Sequence, residues 1–491
     1  MSKLINTSVI QIGIDLGTSN SSIAINKGVD VEIIPNILGD MYTPSVFGVD
    51  GVGNEVVGKK AYERLYKTAS NDEKDNYKGE VKRLMGTSDK IYIERANKDF
   101  FPEEISAEIL KSLKNDVLRK YPEISTLAVV ITVPAMFETM QNEATKRAGL
   151  LAGFPHVVLL QEPIAAAIGH GFDSKNDQNW LIYDFGGGTF DVAVISAKDG
   201  ILTVLSHYGD NFSGGKDIDE LIVDKVIKPK ILESHQIYNF DKNNFFTAFA
   251  KLKSIAETAK IELSSYERVA IEIDDLGVKD REGNDVNITF TYTRKEFNEL
   301  ISPLVERTLK ASRDAIKSSG VSIHNITKII FVGGTTLIPY VRSRVEEDLG
   351  IEADFSVNPL TIVAKGAAVY GLGQRIPSSI IDKFRVPTNA NEIKISLNYD
   401  SMTSEEDELI TGTIEVPSDG DYYILISSES GFYNSNKIKV EDGNFFDTVA
   451  LENGKTNLFW IYLMDSEGNN LPIYPDSFSI THGITVTGAP I

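Results

Sequence analysis

Residues 12–25 read IGIDLGTSNSSIAI, and residues 181–195 read LIYDFGGGTFDVAVI. Each is an apolar strand ending in an aspartate, Asp15 or Asp184, followed by a glycine turn with a threonine and then a second apolar strand. A pattern met twice implies two related halves. The two aspartates lie 169 residues apart, too far for a solenoid repeat, so the expected arrangement is two similar lobes facing each other across a cleft. A hairpin tip without a Cβ lets backbone N–H groups approach phosphate oxygens, and glycine is free to take positive φ. Gly17 with Thr18, and Gly186, Gly187 and Gly188 with Thr189, supply two such tips. Together they could grip one polyphosphate from both sides, with Asp15 and Asp184 placed where a hydrated Mg²⁺ would neutralise it. Either motif alone could be a plain β-turn; the duplication favours the ligand reading. No GxxxxGK[ST] occurs, which excludes a P-loop.

Outward from these hairpins, residues 8 to 375 alternate strand-like runs (VIQIGIDL, LAVVITV, WLIYDF, ITKIIFV) with long amphipathic stretches, the pattern of an α/β protein. One helix is expected from about Phe246 to Ser265, with Phe249, Leu252, Ala256, Ala259 and Leu263 on its apolar face. The character changes at RIPSSIIDKFRVPTNANE, and residues 376–390 are read as a linker. From 391 to 491 seven short strands follow: EIKISLNY, LITGTIEV, YYILISS, NKIKV, FFDTVAL, NLFWIYLM and SFSITHGITV. The turn signals PSDGD, EDGN, ENGK and SEGN separate them, as in an all-β sandwich. No long helical pattern comes after the strands. From residue 376 the chain carries 18 acidic and 6 basic residues, net −12, which reads as a solvated acidic surface.

The whole chain of 491 residues has a net charge of −21, which disfavours bulk nucleic-acid binding. Zero cysteines remove disulfides, thiolate catalysis and cysteine metal sites, and the six scattered histidines match no ligand spacing. The start, MSKLINTSVI, lacks the regions of a signal peptide, and no run of about 18 apolar residues occurs. The expectation is a cytoplasmic protein without a membrane partner.

Eight blocks extend the reading: IGIDLGTSNSS, VKRLMG, VITVPAMFETMQNEATKRAGLLAGF, LLQEPIAAAIGHGF, YDFGGGTFDVAVI, FSGGKDID, AETAKIELSS and FVGGTTLIP. Their order and spacing resemble the nucleotide-binding domain of the seventy-kilodalton heat-shock chaperones, the DnaK-like branch especially, over residues 8 to 375. The resemblance implies an actin-like ATPase of two ribonuclease-H-like lobes, with ATP or ADP and Mg²⁺, and K⁺ as a further candidate ion, in the cleft. It implies that Asp15, Asp184 and Asp191 form the carboxylate cluster that holds metal-bound waters. Lys82 would stand beside the γ-phosphate, Glu162 would orient or deprotonate the attacking water, and Asp184 and Thr189 would join them in catalysis. Gly17, Thr18, Ser19, Asn20, Gly186, Gly187, Gly188, Gly214 and Gly215 would line the phosphates. Glu257, Lys260 and Ser264 would meet ribose and adenine, with Gly333, Gly334 and Leu337 on the other side. Spacing alone gives the face of Lys253, Glu257, Lys260 and Ser264 only a solvated Lys/Glu pattern. Pro134 and Pro163 correspond to residues that relay nucleotide state, and read equally well as a strand-end and a helix-start proline.

Two departures matter. Leu337 stands where the family usually packs an arginine on adenine, so the base loses a cation–π partner. NPLTIVAKGA looks more like the bacterial rod-shape actins, and no peptide-binding or lid block matches residues 376–491. The chain is therefore either a member with a different β module or the front portion of a longer protein. The implied function is an ATP-hydrolysing, chaperone-like protein whose nucleotide state is coupled to a β domain, with unfolded or peptide clients and co-chaperones as partners. An actin-like filament or scaffold protein and a low-turnover nucleotide sensor are the competing readings.

Overall fold

The computed structural model describes residues 10–27, 30–67, 75–124, 127–171, 177–198, 201–210, 213–374, 376–377, 380, 392–415, 420–454, 456–482 and 485–486. The duplicated hairpins sit in equivalent places in two sheets. In the first, Ile10–Asp15 lies between the parallel strand Leu127–Val133 and its antiparallel hairpin partner Asn20–Asn26. In the second, Gln178–Phe185 lies between the parallel strand Ile326–Val332 and its hairpin partner Phe190–Lys198. Val157–Gln161 and Val31–Ile33 flank the first sheet; Ala353–Asp354 and Ile201–Asp210 continue the second. Every residue of Leu127–Val133 is buried, as a parallel strand covered on both faces requires. Asp15 is the last residue of its central strand and Asp184 the next to last of the equivalent one.

Two helices cross between the sheets in exchanged positions. Glu162–His170 follows the first-sheet strand Val157–Gln161 directly, yet it packs on the second sheet. Ile362–Leu372 follows the second sheet and packs on the first, where Gly13 lies against the backbone of Ala364 and Ala368. The helices touch backbone to backbone. A Cβ on Gly366 would lie 1.7 Å from the Ala165 carbonyl oxygen, and one on Gly169 would lie 2.2 Å from that of Ile362. Val130 and Leu160 of one sheet and Trp180, Ile182 and Ile330 of the other share a core cluster with these helices, which forms the seam between the lobes. Rim elements then close over the cleft: Lys59–Tyr62 and the turn Val81–Leu84 on the first lobe, and Phe246–Leu263, ending two residues earlier than expected, on the second.

The C-terminal strands form a sandwich of two sheets around Ile395, Ile410, Ile424, Phe459 and Phe478. All seven expected strands are present, with Met402–Thr403, Asn470–Leu471 and Ile473–Tyr474 as additional short pieces. One expectation changes. SFSITHGITV is not a single strand: Ser477–His482 stays in the sandwich, while Thr485–Val486 pairs with Ile201 and Leu202 of the second lobe. The expected linker at 376–390 lies, apart from Ile376, Pro377 and Ile380, outside the described residues, as do most of PSDGD and the residues beyond Val486. Among the described residues no helix is long and apolar enough to cross a membrane.

Candidate functional site

The two hairpin tips meet. A Cβ on Gly187 would lie 2.4 Å from Ser19 Oγ, and one on Gly188 would lie 2.7 Å from Thr18 Cγ2. A Cβ on Gly17 would fall 2.1 Å from the carbonyl oxygen of Asn20, inside its own turn. Glycine is thus required at these tips by close approach. Positive φ, the other expectation, is not used: Gly17, Gly186, Gly187 and Gly188 all lie outside the left-handed region.

Each tip is held from behind by groups that occupy its carbonyl oxygens. Ser45 Oγ donates to Gly17 O at 2.7 Å, and Ser45 N donates to Ser19 O at 2.8 Å. On the second tip, Gly186 O accepts from Gly215 N and Thr335 Oγ1, Gly187 O from Lys216 N, and Gly188 O from the Arg83 guanidinium. With the oxygens engaged by protein donors, the N–H edge is what these loops offer a ligand. Gly214 and Gly215, at the start of helix Gly215–Ile222, are pressed against the same loop, since a Cβ on Gly214 would lie 2.6 Å from the Gly188 carbonyl carbon. Asn20 lies exposed at the start of its strand.

Beneath the tips, four carboxylates share one ammonium. Lys82 Nζ lies 2.5 Å from Glu162 Oε1, with side chains only 10% and 11% exposed. Glu162 opens the first crossing helix, and Lys82 comes from the Val81–Leu84 turn. Burial, with the Glu162 charge second, raises the Asp15 carboxyl to about 7 against the pull of Lys82 and a hydrogen bond from Thr132. Burial and Glu162 likewise raise Asp191 to about 7, opposed by Lys82 and the Thr189 hydroxyl. Asp184 is pushed well above the ordinary carboxylate range by burial, then by Glu162, Asp191 and Asp15. For Lys82 burial works toward a lower value, but Glu162 and Asp15 outweigh it and keep the ammonium above its usual pKa.

The residues expected around a nucleoside are gathered on the second lobe, each with a protein partner. Glu257 accepts from Tyr62 of the first lobe, and Lys260 pairs with Asp219 at 2.7 Å and donates to Gly215 O. Ser264 Oγ bonds back to Lys260 O. Gly333, at φ +84°, sits where a Cβ would lie 2.8 Å from Asp184 Oδ1; Gly334 lies against Leu360. Leu337 is 41% exposed. Arg342 donates to Thr336 O and lies over the Phe355 ring.

Sequence reasoning missed the ties across the rim. Glu80 accepts from Arg83 and pairs with Lys216 at 2.9 Å, and Tyr62 reaches Glu257 195 residues away. Arg83, Lys216 and Thr335 stand inside quoted motifs, so adjacency to Lys82, Gly215 and Gly334 was an available signal. Tyr62 carried none. A cavity of about 450 Å³ lined by Glu267, Arg294, Asn298 and Tyr340 includes none of the predicted residues.

Two observations test whether these residues fit a metal–polyphosphate. Ser19 Oγ is buried at the meeting of the tips without a partner among the described residues, an acceptor or donor left for a ligand. The carboxylates face a single counter-charge, so a divalent cation would relieve their repulsion. Among the described residues no three acidic or histidine side chains gather closely enough to bind an ion directly. Comparison with known proteins agrees in extent with this architecture. A family model described as Hsp70 protein matches residues 11–375. "Chaperone protein DnaK" of Ureaplasma urealyticum serovar 10 (strain ATCC 33699 / Western) is 39% identical over 366 residues. These are 74% of this chain and 58% of that relative, so the chain spans just over half of the curated relative's length.

Proposed function

The chain belongs to the Hsp70 family, and from that premise we propose that it is an ATP-hydrolysing, chaperone-like protein in which residues 1–375 bind and cleave the nucleotide, with residues 391–491 as the attached β module. ATP binding with Mg²⁺ and ATP hydrolysis are general to the family. The observation that carries the proposal is the buried Lys82–Glu162 pair together with two glycine tips in close approach. Neither the filament reading nor the sensor reading is favoured by the family match.

The chemistry follows from the residues. Thr18, Ser19, Asn20 and the Gly186, Gly187 and Gly188 loop would hold the phosphates by N–H and hydroxyl groups, with Thr189 fixing Asp191 from the loop's end. Asp15, Asp184 and Asp191 would hold Mg²⁺ through its waters, and the ion would neutralise charge on the β- and γ-oxygens. Lys82 would stabilise negative charge that grows as the terminal phosphoryl group departs, a role suited to a buried cation in a water-poor site. Glu162, already fixed by Lys82, would accept a proton from the attacking water. Glu257, Lys260, Ser264, Gly333, Gly334 and Leu337 would take the nucleoside side. Peptide clients and co-chaperones are proposed as partners, with the cytoplasm as location and no nucleic acid or membrane.

Single-turnover ATP hydrolysis tests this. Lys82→Ala should slow the step by about 10²–10³-fold and Glu162→Ala by about 10²–10⁴-fold, with nucleotide still bound. Unchanged rates would remove both residues from the mechanism.

A further inference from the structure

We infer that the Asn453–Gly454 turn of the C-terminal β domain modifies itself: His482 takes the backbone proton of Gly454, whose nitrogen attacks the Asn453 side chain and expels its amide as ammonia. The site lies apart from the nucleotide cleft, and the inference does not rest on ATP hydrolysis.

Asn453 and Gly454 belong to the ENGK turn signal, and no other asparagine of the chain is followed by glycine. An asparagine attacked by the next backbone nitrogen closes a five-membered ring, and a glycine there leaves the nitrogen uncrowded by a Cβ. Both residues are exposed. Gly454 takes φ +73°, and a Cβ built on it would meet nothing within 4 Å, so the space around the reacting peptide is open on that side.

The turn is pinned at both ends. Asn457, itself buried, accepts from Glu452 N through Oδ1 at 2.8 Å and donates to Glu452 O through Nδ2 at 3.1 Å. Thr456 stands opposite Thr481 where Thr456–Met464 pairs with Ser477–His482, and the two hydroxyls lie 2.9 Å apart. That register carries His482, the last residue of its strand, to the turn. There Gly454 N donates to His482 Nδ1 at 3.1 Å, and His482 is only 3% exposed. A ring nitrogen that accepts carries a free lone pair, so the tautomer in place has its proton on Nε2. Where a fold normally sets a carbonyl oxygen against a backbone N–H, this turn sets a base.

The reaction balances without an oxidant or a cofactor. As the bond from Gly454 N to Asn453 Cγ forms, the N–H proton passes to His482 Nδ1 and the side-chain carbonyl becomes a tetrahedral oxyanion. Collapse breaks the bond from Cγ to Nδ2, and the proton held by His482 leaves with the amine as ammonia, restoring the neutral imidazole. Water then opens the succinimide at either carbonyl, leaving aspartate or isoaspartate at position 453. One water is consumed, one ammonia is released, and a carboxylate appears beside Glu452. Isoaspartate also routes the main chain through the side-chain carbon, lengthening the turn that Asn457 clamps.

The purified full chain is incubated at neutral pH, native and in urea, and the conversion is followed by ammonia release, by mass of the peptide containing Asn453, and by methylation with a protein isoaspartyl methyltransferase. Folding alone restricts the rotation that closes the ring and slows this chemistry; a base at the nitrogen reverses that order. The native chain should therefore convert at least about tenfold faster than the unfolded one, and His482→Gln should lower the native rate by about 10²-fold. Asn453→Gln, which would need a larger ring, should release no ammonia from this peptide over the same period. A native rate equal to or below the unfolded rate would overturn the inference, as would a folded His482→Gln protein that converts as fast as the parent. The comparison of native with unfolded parent needs no substitution, so it decides the matter even where His482→Gln fails to fold. Loss of ATP hydrolysis would leave these readouts unchanged.

Discussion

Gly366→Ala sets two effects of opposite sign against each other. In a helix interior, alanine is favoured over glycine by about 1 kcal/mol, and Gly366 lies in the middle of Ile362–Leu372. On helix propensity alone the variant should be more stable. The added Cβ would, however, stand 1.7 Å from the Ala165 carbonyl oxygen and 2.6 Å from its carbonyl carbon, both backbone atoms of the other crossing helix. No rotamer change relieves that contact. The helices must separate by about 1.5 Å, and a gap of 0.5–1 Å already forfeits roughly a quarter to a half of a dispersion contact. With overpacking typically costing about 1–3 kcal/mol and more where the backbone must move, a net loss of about 2–4 kcal/mol is expected. The assay is urea unfolding followed by Trp180 in a Trp460→Phe background; Trp180 is 2% exposed within the seam, and these are the chain's two tryptophans. Gly371→Ala in the same helix is the control. Its Cβ would meet side-chain atoms of Gln11 and Val130 at 3.2 Å, so it should stay within about 1 kcal/mol of the parent. A Gly366→Ala protein as stable as the parent, or more so, would refute the backbone-contact account of the seam.

Leu337→Arg should tighten ATP binding by about two- to fivefold in calorimetry, the value of a partly exposed cation–π contact, because the position is 41% exposed and has room for the longer side chain; unchanged affinity would mean that the base does not lie there. Glu32 supplies a pH test away from the cleft: burial would raise its carboxyl, but hydrogen bonds from Lys120, Lys27 and Tyr121 outweigh it and hold it at about 2. A depressed folded pKa contributes stability above the unfolded value near 4.5 that is lost as pH falls through about 2, so Glu32→Gln should cost about 1–2 kcal/mol at pH 6 and less by pH 3, discounted for its 25% exposure. A penalty that did not shrink with acid would rule out the charge as its source.

What could be read from sequence tracks the range of the interaction. The hairpin repeat was legible because strand, aspartate and glycine turn are all local, and EDGN was legible for the same reason. Asp442 and Gly443 take φ 49° and 75°, the paired positive values of a tight hairpin turn. At the hairpin tips the need for a missing Cβ was anticipated and the use of positive φ was not met, because a sequence shows conformational freedom but not the side chain of Ser19 arriving from the other lobe. Lys82 and Glu162, 80 residues apart, were paired only through family resemblance; no spacing rule connects a short turn to the first residue of a distant helix. Tyr62–Glu257 and Thr485–Val486 against Ile201–Leu202 lay beyond reach. A single long side chain and a two-residue ladder leave no periodicity to detect.

The electrostatics of the cleft separate a site from a core. A chain selected only for stability does not gather Asp15, Asp184, Asp191 and Glu162 around one lysine, since burying charge without full compensation costs more than apolar packing would. Nor does it leave Ser19 Oγ buried without a partner where two loops touch. The mutually repelling carboxylates are gathered on the strands that carry the tips and on the helix opened by Glu162. Away from them, the buried Asp219 is paired with Lys260 at 2.7 Å. A ligand that brings both cationic charge for the carboxylates and anionic oxygens for the N–H edges would relieve every one of these conflicts at once, and a hydrated magnesium polyphosphate has that composition. Strain concentrated where one ligand chemistry resolves it is the physical reason to place function there.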